Sequence, residues 1–317
     1  MTEPRATGYL ELIRTSRNFR FLWFGQIISD FGDWFNLIAG ASFSAMFAIG
    51  AALGGFISGL IGIYQAFFLN GLMYLAAAIV FTQIKIDSAQ IETGVQKNLG
   101  HAFQEYLDGF RYLASHKYLI VIAAHKVFIS LLLGSTFEVV LVAISGSIFV
   151  LGEGGGMGLG LIFAATGIGM GLGPILARRW TGDHLPTQAW TIVIGYLIGG
   201  LGVMLTATLN SWGAVLTGNL LRGVGNGIVW LFSTQLVLVL VPGYIRGRVI
   251  AAESAFSMLV AAVGAALVGV TLDSPLGIPG TAWWMAGLTL LPAFLWGLWT
   301  LTVGKSSPIF SHHGANL

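Results

Sequence analysis

Residues 21–84 read FLWFGQIISDFGDWFNLIAGASFSAMFAIGAALGGFISGLIGIYQAFFLNGLMYLAAAIVFTQI, and this stretch decides the fold. It holds no Lys and no Arg, and its only charges are Asp30 and Asp33. A bilayer crossing takes about 20 apolar residues, so there is room for roughly three spans. Working outward, further mainly apolar blocks follow at 118–150, 157–177, 188–209, 212–241, 249–272 and 281–303. The chain is 56% hydrophobic and 9% charged, where a soluble domain carries about a quarter charged residues. Its mean hydropathy is +0.82. These features predict an all-α, polytopic helical membrane protein.

Other classes are excluded by composition. There is no cysteine, hence no disulfide framework, thiolate nucleophile or Cys-ligated metal. A net charge of +2 is too small to imply nucleic acid, and most basic residues fall at helix ends, where membrane proteins keep them. The histidines at 101, 116, 125, 184, 312 and 313 are scattered, with no HExxH helix. The run from Gly152 to Gly160 lacks the Lys-Ser/Thr of a phosphate loop and lies between apolar blocks, so it reads as a flexible interhelical turn. No cofactor, metal site or catalytic constellation is expected, and the protein is not read as an enzyme.

Charge sets the expected topology. Arg5, Arg14, Arg17 and Arg20 precede the first apolar block, which puts the N-terminus in the cytoplasm. The polar interval from Lys85 to Lys117 carries Phe103, Leu107, Phe110 and Leu113 at helical spacing. It predicts an amphipathic helix on the membrane surface or against the bundle. Arg178-Arg179, Arg246-Gly-Arg248 and Lys305 follow, each two crossings after the last basic cluster, so all return to the cytoplasmic side with the C-terminus. The turns near 149–156, 209–212 and 273–280 then face outward. The front of the chain breaks this rule. Arg20 and Lys85 require an even number of spans between them, yet the length favours three. A single helix of about 40 residues would be about 60 Å long, double the hydrocarbon core.

A family resemblance explains the conflict. The opening Arg17-Asn-Phe-Arg-Phe-Leu-Trp-Phe-Gly-Gln-Ile-Ile-Ser-Asp-Phe-Gly-Asp33-Trp resembles the first helix of major facilitator transporters, in the branch of macrolide-efflux and enterobactin-exporter-like permeases. Leu221-Arg-Gly-Val-Gly-Asn-Gly-Ile-Val-Trp230 resembles that branch's tenth helix. Val241-Pro-Gly-Tyr-Ile-Arg-Gly-Arg-Val-Ile-Ala-Ala-Glu253 is similar to its VP…GRV loop and eleventh helix. Residues 40–55 look like the fifth helix and 64–83 like the sixth. The resemblance implies twelve helices in a complete member, so helices two to four are missing here, with the junction near Leu37–Ala41. The implied organisation is a three-helix remnant over 1–83, a cytoplasmic linker over 84–117, a six-helix half over 118–304 and a cytoplasmic tail over 305–317, with about nine spans. The implied function is secondary active transport in the plasma or inner membrane, as a proton-coupled antiporter exporting a small amphiphilic compound. The chain is inactive if the missing helices are essential. The alternative is a non-transporting, degenerate or interaction protein. The expected partners are membrane lipid and the small-molecule substrate; nothing identifies a protein partner.

Several polar residues within the spans are site candidates, because an acid in hydrocarbon costs about 3 kcal/mol or more. Gln26, Asp30, Asp33 and Asn36 share one helical stripe, which reads as a proton-titratable or cation-attracting site, or for Asp33 as a cap near the outer surface. Asn219, Arg222, Asn226, Trp230 and Ser233 form a second stripe. Arg222 either binds an anionic ligand group or pairs with Glu253 or Glu138. Lys126 and Glu138 sit about 18 Å apart by helical rise and cannot pair with each other; each faces the cavity or a neighbour, and Lys126 can snorkel to the cytoplasmic face. Glu253 is either a coupling residue or a salt-bridge partner of Arg246 and Arg248. Gly223, Gly225 and Gly227, with Gly50/Gly54, Gly55/Gly59 and Gly167/Gly171, read as close-packing positions. Trp190, Trp212, Trp283 and Trp284 read as interface anchors.

Overall fold

The computed structural model describes residues 43–83, 99–302 and 308–311. Helix α1 (Phe43–Ile61) is separated by Gly62 alone from α2 (Ile63–Thr82). The amphipathic segment forms α3 (Leu99–Ser115). Then come α4 (Lys117–Ser147), α5 (Gly156–Thr181), α6 (Leu185–Ala207), α7 (Trp212–Leu240), α8 (Gly243–Leu272) and α9 (Gly277–Leu301), with a short α10 (Pro308–Ser311). Among the described residues, eight helices are long and apolar enough to cross a membrane: α1, α2 and α4 to α9. The remaining expected span, with Gln26, Asp30, Asp33 and Asn36, lies outside the described residues.

Glycine decides which helices can touch. A Cβ on Gly225 of α7 would lie 2.5 Å from Cα of Gly199 on α6, and one on Gly227 would lie 3.0 Å from Cα of Met170 on α5. A Cβ on Gly223 would lie 2.9 Å from the carbonyl carbon of Thr166. Backbones this close leave no space for a side chain. Lipid tails are as apolar as Leu, so association in a bilayer rests on such van der Waals packing. α7 is accordingly the centre of the bundle, clasped by α5 on one side and α6 on the other. α1 joins the same way: a Cβ on Gly55 would sit 2.5 Å from Cα of Gly160, and one on Gly167 2.7 Å from Cβ of Ala48. The order of these contacts makes α1 antiparallel to α5. Gly50 and Gly54, also read from sequence as packing positions, meet nothing within 4 Å; they are turned away from α5.

α2 differs from every other span. Its membrane-spanning window buries none of its residues, against 67% for that of α7. Tyr64, Phe67, Phe68 and Tyr74 are all exposed. Its backbone is satisfied within the helix, so apolar side chains can meet lipid without penalty. The helix geometry is interrupted between α1 and α2 at Gly62, whose φ of +103° suits glycine.

One expectation is corrected at the ends of the spans. The Arg246-Gly-Arg248 segment is no loop. Pro242 precedes the helix with ψ 144°, and α8 starts at Gly243, so both arginines lie in its first two turns. Their side chains explain why: Arg246 donates to the carbonyl of Val241, and Arg248 faces Glu105 at 3.6 Å and Asp108 at 3.9 Å on α3. Trp212, at the start of α7, packs its ring on Phe149 with centroids 5.5 Å apart. Trp283 and Trp284 are about half exposed. The glycine run is part turn, part helix: Gly152, Gly154 and Gly155 have positive φ, and α5 starts at Gly156.

The basic clusters gather at one end of the bundle. α3 is held against the start of α8 by Arg248, Arg178 donates to Gln235 near the end of α7, and Trp296 Nε1 donates to the carbonyl of Ala189 near the start of α6. The positive-inside bias predicts that this end faces the cytoplasm. Cysteines placed at 180 and 244, both strongly exposed, should therefore react with a membrane-impermeant maleimide only after cells are opened. A cysteine at 210 should react in intact cells. Labelling of position 180 from outside would reverse the assignment.

Candidate functional site

α4 is interrupted near its middle. Its ladder widens to a π turn over Ile129–Leu133, and Gly134 leaves helical geometry at φ −107°, ψ −135° before the helix resumes at Ser135. Such a break frees backbone groups that hydrocarbon cannot satisfy. Arg222 resolves this. Fully buried on α7, it donates through Nη1 to the carbonyl of Leu133. Its Nη2 donates to Thr166 Oγ1 on α5 at 3.0 Å, and its Nε to Asn219 Oδ1 at 3.0 Å. Asn219 in turn donates to Thr206 Oγ1 on α6 at 3.3 Å. One guanidinium thus ties α4, α5 and α7 together, and Asn219 extends the network to α6. The fixed fork of an arginine suits this where a lysine's point charge does not. Of the two acids proposed for it, Glu138 is the one whose charge acts on Arg222. It lies in the first turn after the break.

Beside the break lies a cavity of about 410 Å³, walled by α1, α4, α5 and α7. Ser130 and Ser135 flank Gly134 on one wall, Asn226 and Trp230 form another, and Ser44 closes a third. No ionised side chain lines it among the described residues. The stripe read on α7 is therefore split by depth: Asn226 and Trp230 reach the cavity, while Asn219 and Arg222 are buried behind it in the network. Ser233 donates back to the carbonyl of Trp230.

Lys126 does not snorkel. It is buried, donates to Thr234 Oγ1 on α7 and lies 3.4 Å from the centroid of the Trp230 ring, a cation–π contact strengthened by burial. Glu253 is also buried. It lies seven and five residues beyond the two arginines at the start of α8, and its charge is felt by Lys126. The salt bridge expected with Arg246 or Arg248 is absent because those two are engaged by Val241 and by α3. Asp30, Asp33 and Gln26 lie outside the described residues.

Sequence reading missed three features. Thr166 and Thr206 are ordinary residues in apolar runs, and only the structure shows that they receive the Arg222–Asn219 network. His125 is buried, with Nδ1 3.1 Å from the Tyr196 hydroxyl and its ring edge-on to Trp296 at 4.5 Å. The break at Gly134 left a trace: Gly134-Ser-Thr interrupts a run of aliphatic residues at the centre of a span.

The model of the Major Facilitator Superfamily matches residues 36–243. No curated protein and no solved structure matches the chain. The matched region runs from before α1 to the first residue of α8, covers more than half of the sequence and includes every described wall of the cavity. The chain belongs to the Major Facilitator Superfamily of membrane transporters.

Proposed function

We propose that this chain is a permease of the efflux branch, shortened by loss of helices two to four near Leu37–Ala41. On this reading it binds a small amphiphilic compound in the cavity beside Gly134 but does not by itself drive gradient-coupled transport. The cavity carries the proposal. Its volume lies in the range of about 300–1,000 Å³ typical of small-molecule sites. Its wall combines an indole, an amide and hydroxyls without charge, which suits an uncharged amphiphile. Asp30 and Asp33, with Glu138 and Glu253 as further candidates, are the residues that would couple protons in a complete permease of this kind, and the shortened chain leaves them without that role. A transport path needs walls from both halves around a midplane site, and α2 contributes no packed surface to one.

The test uses the purified chain in lipid vesicles with phenylnaphthylamine, a neutral fluorescent amphiphile. Saturable binding is expected, weakened about tenfold by Trp230→Ala, as loss of one aromatic contact worth about 1.4 kcal/mol would do. An imposed pH gradient should produce no dye movement above that of empty vesicles. Robust gradient-dependent movement would overturn the inactivity, and absence of saturable binding would remove the cavity from the reading. A second reading, a membrane interaction protein, is favoured by the unpacked surface of α2. Copurification of differently tagged copies, lost when Phe67 and Phe68 are replaced by Ala, would support it.

A further inference from the structure

A second cavity, of about 280 Å³, lies away from the first, between α3, α4 and α8. Its wall is almost wholly apolar, drawn from Leu113, Ala123, Ala124 and Val127, with Phe110 of α3 and Phe256 of α8 at its edge, ring centroids 6.3 Å apart. Both rings are partly exposed, at 45% and 41%. Among the described residues, the single ionisable group in this lining is Glu253. That carboxylate is only 5% exposed, and its Oε1 is buried without a hydrogen-bond partner. A carboxylate enclosed by hydrocarbon is expensive unless its oxygens are satisfied. Lys126 supplies a field from the other side of α4, but its ammonium is engaged by Thr234 and the Trp230 ring and makes no ion pair with Glu253. The cover is held in place, since Arg248 bridges to Glu105 and Asp108, and a Cβ on Gly109 would lie 2.6 Å from the Arg248 carbonyl carbon.

We infer that this cavity under the amphipathic helix is a binding site for a protonated aryl-alkyl amine, with the ammonium on Glu253 and the aromatic body against the edge formed by Phe110 and Phe256. The apolar walls receive the body, and the Glu253 carboxylate, which lines the cavity and has one oxygen without a partner, supplies the acceptor. This site is separate from the uncharged cavity beside Gly134 and does not depend on the transport proposal.

The experiment follows binding of fluorophenylbutylamine to the full chain in lipid nanodiscs by fluorine NMR, beside fluorophenylbutanol, which keeps the body and lacks the charge. The amine should bind saturably and at least about tenfold more tightly than the alcohol, as a charge-assisted hydrogen bond provides. Glu253→Gln should erase that difference. Lys126→Gln, which removes a competing positive charge, should tighten the amine. Ala124→Trp should block both probes by filling the cavity, whereas Ser135→Trp, in the other cavity, should leave amine binding within about twofold. Equal binding of amine and alcohol by the native chain would overturn the inference, as would undiminished amine binding by Glu253→Gln or loss of it in Ser135→Trp. If Glu253→Gln does not fold, the amine–alcohol comparison and Ala124→Trp still decide.

Discussion

Replacing Arg222 by Met should lower the unfolding free energy of the bundle by about 3–5 kcal/mol, although no ligand contact is removed. The substitution keeps most of the side-chain volume. It strands the Leu133 carbonyl at the α4 break and the Asn219 amide oxygen, and takes a donor from the Thr166 hydroxyl, which keeps its own bond to the Ile162 carbonyl; each buried group left unsatisfied costs about 1–3 kcal/mol. Glu138 also loses the cation that its charge acts on. Arg222→Lys should recover only part of the loss, because an ammonium cannot hold three acceptors on three helices in one plane. Equilibrium unfolding in mixed detergent micelles would measure this. A loss under about 1 kcal/mol for Arg222→Met would mean that the break is satisfied in another way.

The second large effect is steric. Gly225→Val should destabilise by about 3 kcal/mol or more, at the upper end of overpacking penalties, because its Cβ meets the backbone of α6 rather than a movable side chain. Gly287→Val on α9 makes the control, since a Cβ there meets nothing within 4 Å. The control should stay within about 0.5 kcal/mol of the parent. Equal losses at both positions would show that helix propensity, not contact between α6 and α7, sets the cost.

Much of this architecture was written in the hydropathy. The six apolar blocks after residue 117 coincide with α4 to α9 to within a few residues, because hydrocarbon forces every backbone group into a helix and leaves few alternatives. The start of α8 was misplaced for a physical reason. Arginines at 246 and 248 interrupt the apolar pattern, but acceptors on α3 let the helix carry them. The α7 stripe was legible as a stripe, since period alone places Asn219, Arg222, Asn226 and Trp230 on one side. Which of them reach a cavity was not, because depth depends on where α4 breaks. The partners of Lys126 were equally hidden. They are set by contacts between α4 and α7 more than a hundred residues apart in sequence, and no local pattern encodes those.

The interruption of α4 also has a mechanical meaning. α5, α6 and α7 touch backbone to backbone, so the three resist sliding past one another and behave as a slab. α4 has no such continuity: at Gly134 its two segments share few ladder hydrogen bonds, which makes this point a joint. The Leu133 carbonyl is the pin of that joint, and Arg222 is the latch on it. Swinging either segment of α4 means first drawing that carbonyl off the guanidinium, and the Ser130 and Ser135 walls of the cavity move with the segments that carry them.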